Sequence, residues 1–278
     1  MLSLGRGAAS MRGVGKVGGD MGYQAIRYEL AEGVAVITLA RGQVMNALNT
    51  EMRLEITKAL RRAGAEARVV VLTGEGRAFC SGQDLGSGAD IANLDLARVL
   101  REEYEPMLAA IHDCPVPVIA AVNGVAAGAG ANLALAADVV IAAESAGFMQ
   151  AFTRIGLLPD AGGTWVLPRL VGQARAMGAA LFAERVSARQ AADWGMIWEA
   201  VPDVDFDHHW RARAAQLAKG PTLAYRAVRR ALQAAATNSL PVQLSLESQL
   251  QGELGTSHDF AEGVAAFLAK RPAVFEGR

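Results

Sequence analysis

The chain has 278 residues and a formal charge of −1, from 27 Lys and Arg against 28 Asp and Glu, with 52% hydrophobic and 20% charged residues. That apolar content supports a full core and excludes a disordered chain, and the balanced charge leaves no global basic field to recruit nucleic acid or an anionic membrane. Two cysteines, Cys80 and Cys114, without a Cys-x-x-Cys pair, and four histidines without ligand spacing exclude a disulfide scaffold and a metal site, and suit a reducing, cytoplasmic setting.

Residues 1–20 are Gly-rich, carry Arg6, Arg12 and Lys16, and lack a continuous apolar run, so they read as a disordered extension ahead of Met21 rather than a secretory signal. Residues 26–30 and 34–39 are β-rich runs separated by Ala31-Glu32-Gly33, the spacing of a hairpin. Asn49 or Thr50 offers an N-cap for a helix to about Ala63, with Leu54, Ile56 and Leu60 on its apolar face. Residues 69–73 predict a buried strand, followed by a Gly-rich loop over 74–88 and a helix over 94–112 kinked at Pro106. A strand over 118–122, a helix over 129–137 and a strand over 139–142 continue an alternation that predicts an α/β core with parallel pairing. The uncharged stretch 114–137 has the length of a membrane span, but Pro115, Pro117, Asn123, Gly124, Gly128, Gly130 and Asn132 interrupt it, and it reads as strand, turn and small-residue helix. Beyond Gly163, a last strand over 198–201 and helices over 174–182, 188–194, 209–218, 222–236, 242–254 and 259–270 predict a helical C-terminal region. The expected division is an extension over 1–20, an α/β core over 21–205 and a helical region over 206–278.

The common catalytic motifs are absent: there is no G-x-S-x-G elbow, Walker loop or H-E-x-x-H, and Leu133 stands where a dinucleotide fingerprint starting at Gly128 needs a small residue. Two loops, 74–83 and 124–130, each follow a buried strand, and parallel strands deliver such loops to one sheet edge. In the second, small residues lead directly into a helix, whose unpaired N–H groups and dipole favour an anion. Spacing alone suits either an oxyanion hole built from two loops or glycines that permit tight packing.

Three segments, Arg77-Ala78-Phe79-Cys80-Ser81-Gly82-Gln83-Asp84-Leu85, Ala121-Val122-Asn123-Gly124-Val125-Ala126-Ala127-Gly128-Ala129-Gly130 and Gly156-Leu157-Leu158-Pro159-Asp160-Ala161-Gly162-Gly163, resemble the crotonase (enoyl-CoA hydratase/isomerase) superfamily. Arg41 with Met45-Asn46-Ala47-Leu48 resembles its early loop, and Glu262-Gly263-Val264-Ala265-Ala266-Phe267-Leu268-Ala269-Lys270-Arg271-Pro272 its C-terminal helix, so the resemblance runs from about Met21 to the end. Within the superfamily it looks closest to the phenylacetate-pathway isomerases of ring-epoxidised phenylacetyl-CoA, through Ala127-Gly128-Ala129-Gly130-Ala131 and Trp194-Gly195-Met196-Ile197-Trp198. The resemblance implies a crotonase-like spiral core of ββα units, a C-terminal trimerisation region, a homotrimer or dimer of trimers, an acyl-CoA thioester as substrate, and no cofactor besides that substrate's coenzyme A. By position it implies the backbone N–H groups of Gln83 and Ala129 as oxyanion donors. It also implies Gln43, Val44, Ala47, Ala78, Ser81 and Gly82 against the coenzyme, and Lys270 or Arg271 at a CoA phosphate. A glycine is commoner at the place of Ala129, whose backbone keeps the chemistry while its methyl narrows the pocket.

The superfamily's hydratases use two glutamates, and the matching positions here hold Asn132 and Phe152, neither of which exchanges a proton; both are expected at the substrate. Asp160 stands where one branch of isomerases places its single acid, and Phe148, Phe152, Ile155, Leu157 and Leu158 nearby in sequence are expected to raise its pKa. Taken alone, Pro159-Asp160-Ala161-Gly162-Gly163 is an ordinary turn with a helix N-cap. The expected activity converts ring-1,2-epoxyphenylacetyl-CoA to oxepin-CoA, shifts 3-enoyl to 2-enoyl double bonds, or both, with Asp160 as the proton shuttle. The alternatives are an enoyl-CoA hydratase, attack by Asp160 on an aromatic acyl-CoA as in superfamily dehalogenases, and a non-catalytic homologue that binds CoA thioesters or RNA. The absence of a Lys/Arg stripe interleaved with aromatics counts against RNA. Glu103 and Glu105 are the next candidates for a base but read as solvated, Asp84 reads as fixing the loop that presents Gln83, and the two cysteines read as small buried residues. Acyl specificity is expected from the loop over 86–93.

Overall fold

The computed structural model describes residues 22–86 and 95–278; the extension expected over 1–20 and all but Gly86 of the loop expected to set acyl specificity lie outside the described residues. The chain opens with β1 (Ile26–Ala31) and β2 (Val34–Leu39), paired antiparallel as expected. Glu32 and Gly33 turn the hairpin with φ of 51° and 77°, the pair of positive angles that matches strand twist in a two-residue turn. β3 (Val69–Gly74), β5 (Val118–Val122), β7 (Val139–Ala143) and β10 (Glu199–Val201) then add in parallel, in the order β1-β2-β3-β5-β7-β10. All five residues of β5 are buried, which explains a run with no polar alternation.

A second sheet corrects the expected loops. β4 (Ala78–Cys80), β6 (Val125–Ala127), β8 (Gly147–Met149) and β9 (Val186–Ser187) lie in that order, the first three parallel. Segments of two or three residues are too short to display a period, so β4 and β6 are invisible inside stretches that read as Gly-rich loops. Each long strand is followed by a short one and then a helical segment, and this ββα turn repeats from β3, β5 and β7. The pairing of Ala78 with Val125 and of Cys80 with Ala126 is what brings the two expected anion loops side by side.

α1 (Thr50–Glu66) is capped by Asn49, whose side chain accepts the Met52 N–H at 3.0 Å. Its buried face is Met52, Ile56, Ala59, Leu60 and Ala63, whereas Leu54, expected inside, is exposed. The helix expected over 94–112 is α2 (Leu96–Val99), a π-helical turn Leu100–Tyr104 and α3 (Glu105–His112). Pro106 stands in the first turn of α3, where its missing N–H does no harm, and the irregularity falls in the turn before it. That wide turn buries Glu103 and Tyr104. α4 (Ala129–Leu135) is buried throughout. α5 (Gly163–Phe182) begins eleven residues before the expected helix and breaks at Gly172, whose φ is 76°. After α6 (Ala188–Asp193), the C-terminal helices are α7 (Asp203–Ala218), α8 (Thr222–Ala235), α9 (Leu240–Leu254) and α10 (His258–Leu268). α7 packs on β2, β3, β7 and β10 with Trp210 fully buried, while α8–α10 keep Leu232, Phe260, Phe267 and Leu268 exposed. No helix among the described residues is long and apolar enough to cross a membrane.

Candidate active site

The edge where β4, β6 and the segment after β8 end frames a cavity of about 280 Å³. Its apolar wall comes from Leu96, Val99 and Leu100 on one side and from Phe152, Ile155 and Leu157 of the 3₁₀ turn Ala151–Ile155 and its exit on the other. Ser81, Gly82, Gln83, Gly128 and Ala129 line a third side, and Tyr104, Arg154 and Asp160 bring the titratable groups. Asp160 is the only carboxylate in this lining among the described residues. A larger groove of about 420 Å³ between α8, α9 and α10 has Asp259 as its titratable group, and that carboxylate is occupied by the N–H groups of Glu276 and Gly277. Among the described residues no cluster of three His, Cys, Asp or Glu side chains is placed to hold a metal ion.

The two expected donors meet at Gly82. Its φ of +99° suits glycine, and a Cβ there would lie 2.8 Å from the Ala127 carbonyl oxygen and 3.4 Å from the Ala129 nitrogen. The loops carrying Gln83 and Ala129 are therefore in van der Waals contact. Neither N–H donates to an acceptor among the described residues: Ala129 is the first residue of α4 and has no intrahelical partner, and the bridge from Leu48 uses Gly82 O and Asp84 N instead. Two unspent N–H groups beside one cavity suit an oxygen that becomes negative during reaction.

A buried clamp holds Gln83. Its Oε1 accepts from Arg53 Nη1 at 2.8 Å and from the Tyr104 hydroxyl at 2.7 Å, and its Nε2 donates to Asp84 O at 3.0 Å. Arg53 also donates to Leu48 O at 2.6 Å and twice to Glu103 Oε2, at 3.0 and 2.6 Å. Both partners of that ion pair are buried, and the Arg53 guanidinium lies 4.8 Å from the Tyr104 ring centre. Glu103 is thus a correction to its expected solvated place. Burial alone raises a carboxyl pKa, but hydrogen bonds from Arg53 and Thr50 and the Arg53 charge outweigh it and hold Glu103 below its ordinary value. Glu105 is exposed, as expected. Asp84 pairs with Arg41 at 2.7 Å, and the same Arg41 nitrogen donates to Ala47 O at 2.6 Å, which ties the early loop to the Gln83 loop.

Asp160 has the opposite environment. Among the described residues no Arg or Lys pairs with it and its Oδ1 is buried without a hydrogen-bond partner, and burial pushes its pKa up to about 6 despite a bond from its own N–H. Burial likewise pushes the Cys80 thiol up to about 12 and raises that of Cys114, as suits inert side chains.

The remaining expected contacts divide. Ser81, Gly82 and Phe152 line the cavity. Gln43 and Val44 are exposed on the 3₁₀ turn Gly42–Val44, and the Ser81 N–H donates to Met45 O at 3.0 Å, so that turn and the Gly82 loop form one ledge with the buried Ala47. Ala78 has no exposed surface within β4, so the expected coenzyme contact is corrected: its backbone instead accepts from Asn46 and Asn123. Asn132 is also corrected, because it is 1% exposed and sits behind the lining with both ends of its amide engaged. Lys270 is exposed just beyond α10 and does not line the cavity, and Arg271 is held by a two-pronged pair with Glu262. Arg53, Tyr104, Gln150 and Arg154 went unseen in the sequence; Arg53 and Glu103 are 50 positions apart, and nothing local announces their pairing.

The family model described as enoyl-CoA hydratase/isomerase matches residues 29–278. A Rhodobacter capsulatus protein named "Probable enoyl-CoA hydratase" is 70% identical over 258 residues, 93% of this chain and 100% of that protein. The Escherichia coli 1,2-epoxyphenylacetyl-CoA isomerase is 45% identical over 252 residues, 89% of this chain and 96% of that enzyme. Among solved structures, an enoyl-CoA hydratase from Bacillus anthracis superposes with a TM-score of 0.85 at 33% identity, covering 92% of this chain and 100% of its own.

Proposed function

Since the chain belongs to the enoyl-CoA hydratase/isomerase family, we propose that it is an acyl-CoA isomerase in which Asp160 is the single proton shuttle. The observation that carries this reading is Asp160, the one carboxylate that lines the cavity among the described residues, without a partner for Oδ1 among them and raised to about 6, beside two unspent backbone donors.

In a 3-enoyl-CoA, Asp160 takes a proton from C2 and the electron pair moves onto the thioester oxygen, where the N–H groups of Gln83 and Ala129 stabilise the dienolate. The pair then returns through the chain, C4 takes the proton back from Asp160, and the double bond ends between C2 and C3. The same proton removal beside a thioester drives opening of a ring-1,2-epoxide on phenylacetyl-CoA toward the oxepin. The apolar wall of Leu96, Val99, Leu100, Phe152 and Ile155 and the 45% identity to an isomerase of that substrate support an aromatic acyl group. Neither reaction calls for a cofactor beyond the substrate's own coenzyme A. Gln43, Val44, Ala47, Ser81 and Gly82 form the ledge for that coenzyme, with Lys270 available to a phosphate. The apolar surface on α8 and α10 suits assembly into a trimer or a dimer of trimers.

A second reading, an enoyl-CoA hydratase, is favoured by the name of the 70% identical relative. Hydration must activate a water and also deliver a proton, and among the described residues one carboxylate lines the cavity, with Asn132 and Phe152 where a hydratase of the family carries its glutamates. Wild-type protein incubated with a 3-enoyl-CoA is expected to yield the conjugated 2-enoyl-CoA, and with ring-1,2-epoxyphenylacetyl-CoA the oxepin. Hydration of a 2-enoyl-CoA without either isomerisation would overturn the reading in favour of the hydratase.

A further inference from the structure

We propose that Asn132 is a positioning residue that aims Asp160 into the cavity by holding its backbone carbonyl, with Gln150 setting which end of the Asn132 amide faces the loop. The inference rests on the proton-shuttle role of Asp160 and adds what holds that group in place.

Asn132 Nδ2 donates to Asp160 O at 2.7 Å, and Asn132 Oδ1 accepts from Gln150 Nε2 at 2.9 Å. Because Gln150 presents a donor to one end of the amide, the other end is obliged to be a donor, and it meets a carbonyl. Asp160 O takes a second bond, from Gly163 N at 2.8 Å, so the peptide plane after Asp160 is held from two directions. The loop lies flat against the Asn132 amide: a Cβ on Gly163 would come within 2.3 Å of Nδ2. Asn132 and Gln150 are 1% and 4% exposed, so water does not substitute for either.

The arrangement separates position from basicity. A base fixed by hydrogen bonds to its carboxylate is held in its charged form and loses affinity for a proton. Asp160 is fixed through its carbonyl, and its Oδ1 stays unpartnered. The other titratable groups that line the cavity among the described residues are Tyr104, whose hydroxyl is committed to Gln83, and Arg154, whose Nη2 donates to Ala183 O.

The test follows the Asp160 carboxyl by carbon-13 NMR titration, its signal identified by loss in Asp160→Asn, in full-length wild type, Asn132→Ala and Gln150→Leu, alongside kcat and KM for a 3-enoyl-CoA. Freed from its carbonyl anchor, Asp160 in Asn132→Ala is expected to reach water, so that its midpoint drops by about one pH unit or more. We expect kcat to fall about tenfold or more with KM within about twofold, as for a group misplaced but not lost. Gln150→Leu should move both quantities the same way by less. Gln150→Leu removes the unpartnered Gln150 Oε1 but leaves Asn132 Oδ1 without its donor, so its denaturation midpoint is expected to change little, and the Asp160 titration is the readout that a merely structural role would not move. An unmoved Asp160 midpoint in the folded variants overturns the proposal; if Asn132→Ala does not fold, Gln150→Leu alone decides. If wild type isomerises no enoyl-CoA, the isomerase reading fails while the titration still decides the positioning.

Discussion

Two carboxylates near the cavity show how opposite surroundings divide one chemistry. Glu103, on the π-helical turn, is buried against Arg53 and held below its ordinary pKa; Asp160, on the loop before α5, is withdrawn from water, pairs with no cation among the described residues and is raised to about 6. Burial opposes ionisation at both, and the partner decides the outcome. On the Glu103 side the carboxylate holds Arg53, and Arg53 and Tyr104 together hold Gln83 still, which suits a wall that presents fixed donors to a developing charge. The Asp160 side leaves one oxygen unspent, which suits a group that must take up and release a proton near neutral pH. Rigidity and reactivity are therefore assigned to different walls of one cavity.

Breaking the reactive side should have the largest effect. Asp160→Asn is expected to lower kcat for 3-enoyl-CoA isomerisation by about 10²–10⁴-fold while calorimetry still detects thioester binding. In wild type, kcat should decline as pH falls through about 6, because the carboxyl must be ionised to accept a proton. The same shift has a stability sign. Asp160 holds its proton more tightly in the fold than in the unfolded chain, so its stabilising contribution is complete below about pH 4 and lost as pH rises through about 6. Asp160→Asn should accordingly match wild type in denaturant at pH 4 and exceed it by about 2–3 kcal/mol at pH 8.

Breaking the rigid side should cost stability first. Arg53→Met takes from Glu103 its buried cation, leaves only the half-exposed Arg98 at 3.8 Å, and is expected to lower unfolding free energy by about 3 kcal/mol, read from urea denaturation. Gly82→Ala forces a Cβ against the Ala127 carbonyl at a φ of +99°, with an expected loss of about 1–3 kcal/mol and at least about tenfold in kcat as the donors part. Ala129→Gly is the mildest change. The donor is backbone and the methyl is almost fully buried, so kcat should stay within about threefold and stability drop by about 1–2 kcal/mol, from the buried methyl lost and the backbone freedom gained.

Legibility in the sequence followed the range of the interactions. The hairpin, the apolar runs of β3 and β5 and the Asn49 cap are local, and each stands where neighbouring residues put it. The strand-then-loop spacing also indicated that the loops 74–83 and 124–130 could meet at one edge, and the resemblance singled out Gln83 and Ala129 in them, although the short strands β4 and β6 that bring them together leave no period to read. Leu54 was misjudged because three apolar residues on a helix do not say which turn of the face meets the sheet. Glu103 read as solvated because its cation lies on another helix, and Asn132 read as a substrate contact because its partners, Gln150 and the Asp160 carbonyl, are 18 and 28 positions away.

By itself the sequence determined the alternation of strands and helices, the Gly-rich loops at the strand ends and the supply of a single acid in the Asp160 loop, since these depend on residues within a few positions of one another. Only the tertiary structure decided which carboxylate is free to exchange a proton and which is locked. A pKa answers to the solvent removed and the charges brought near, and both are set by chain segments that the fold, not the order of residues, makes neighbours.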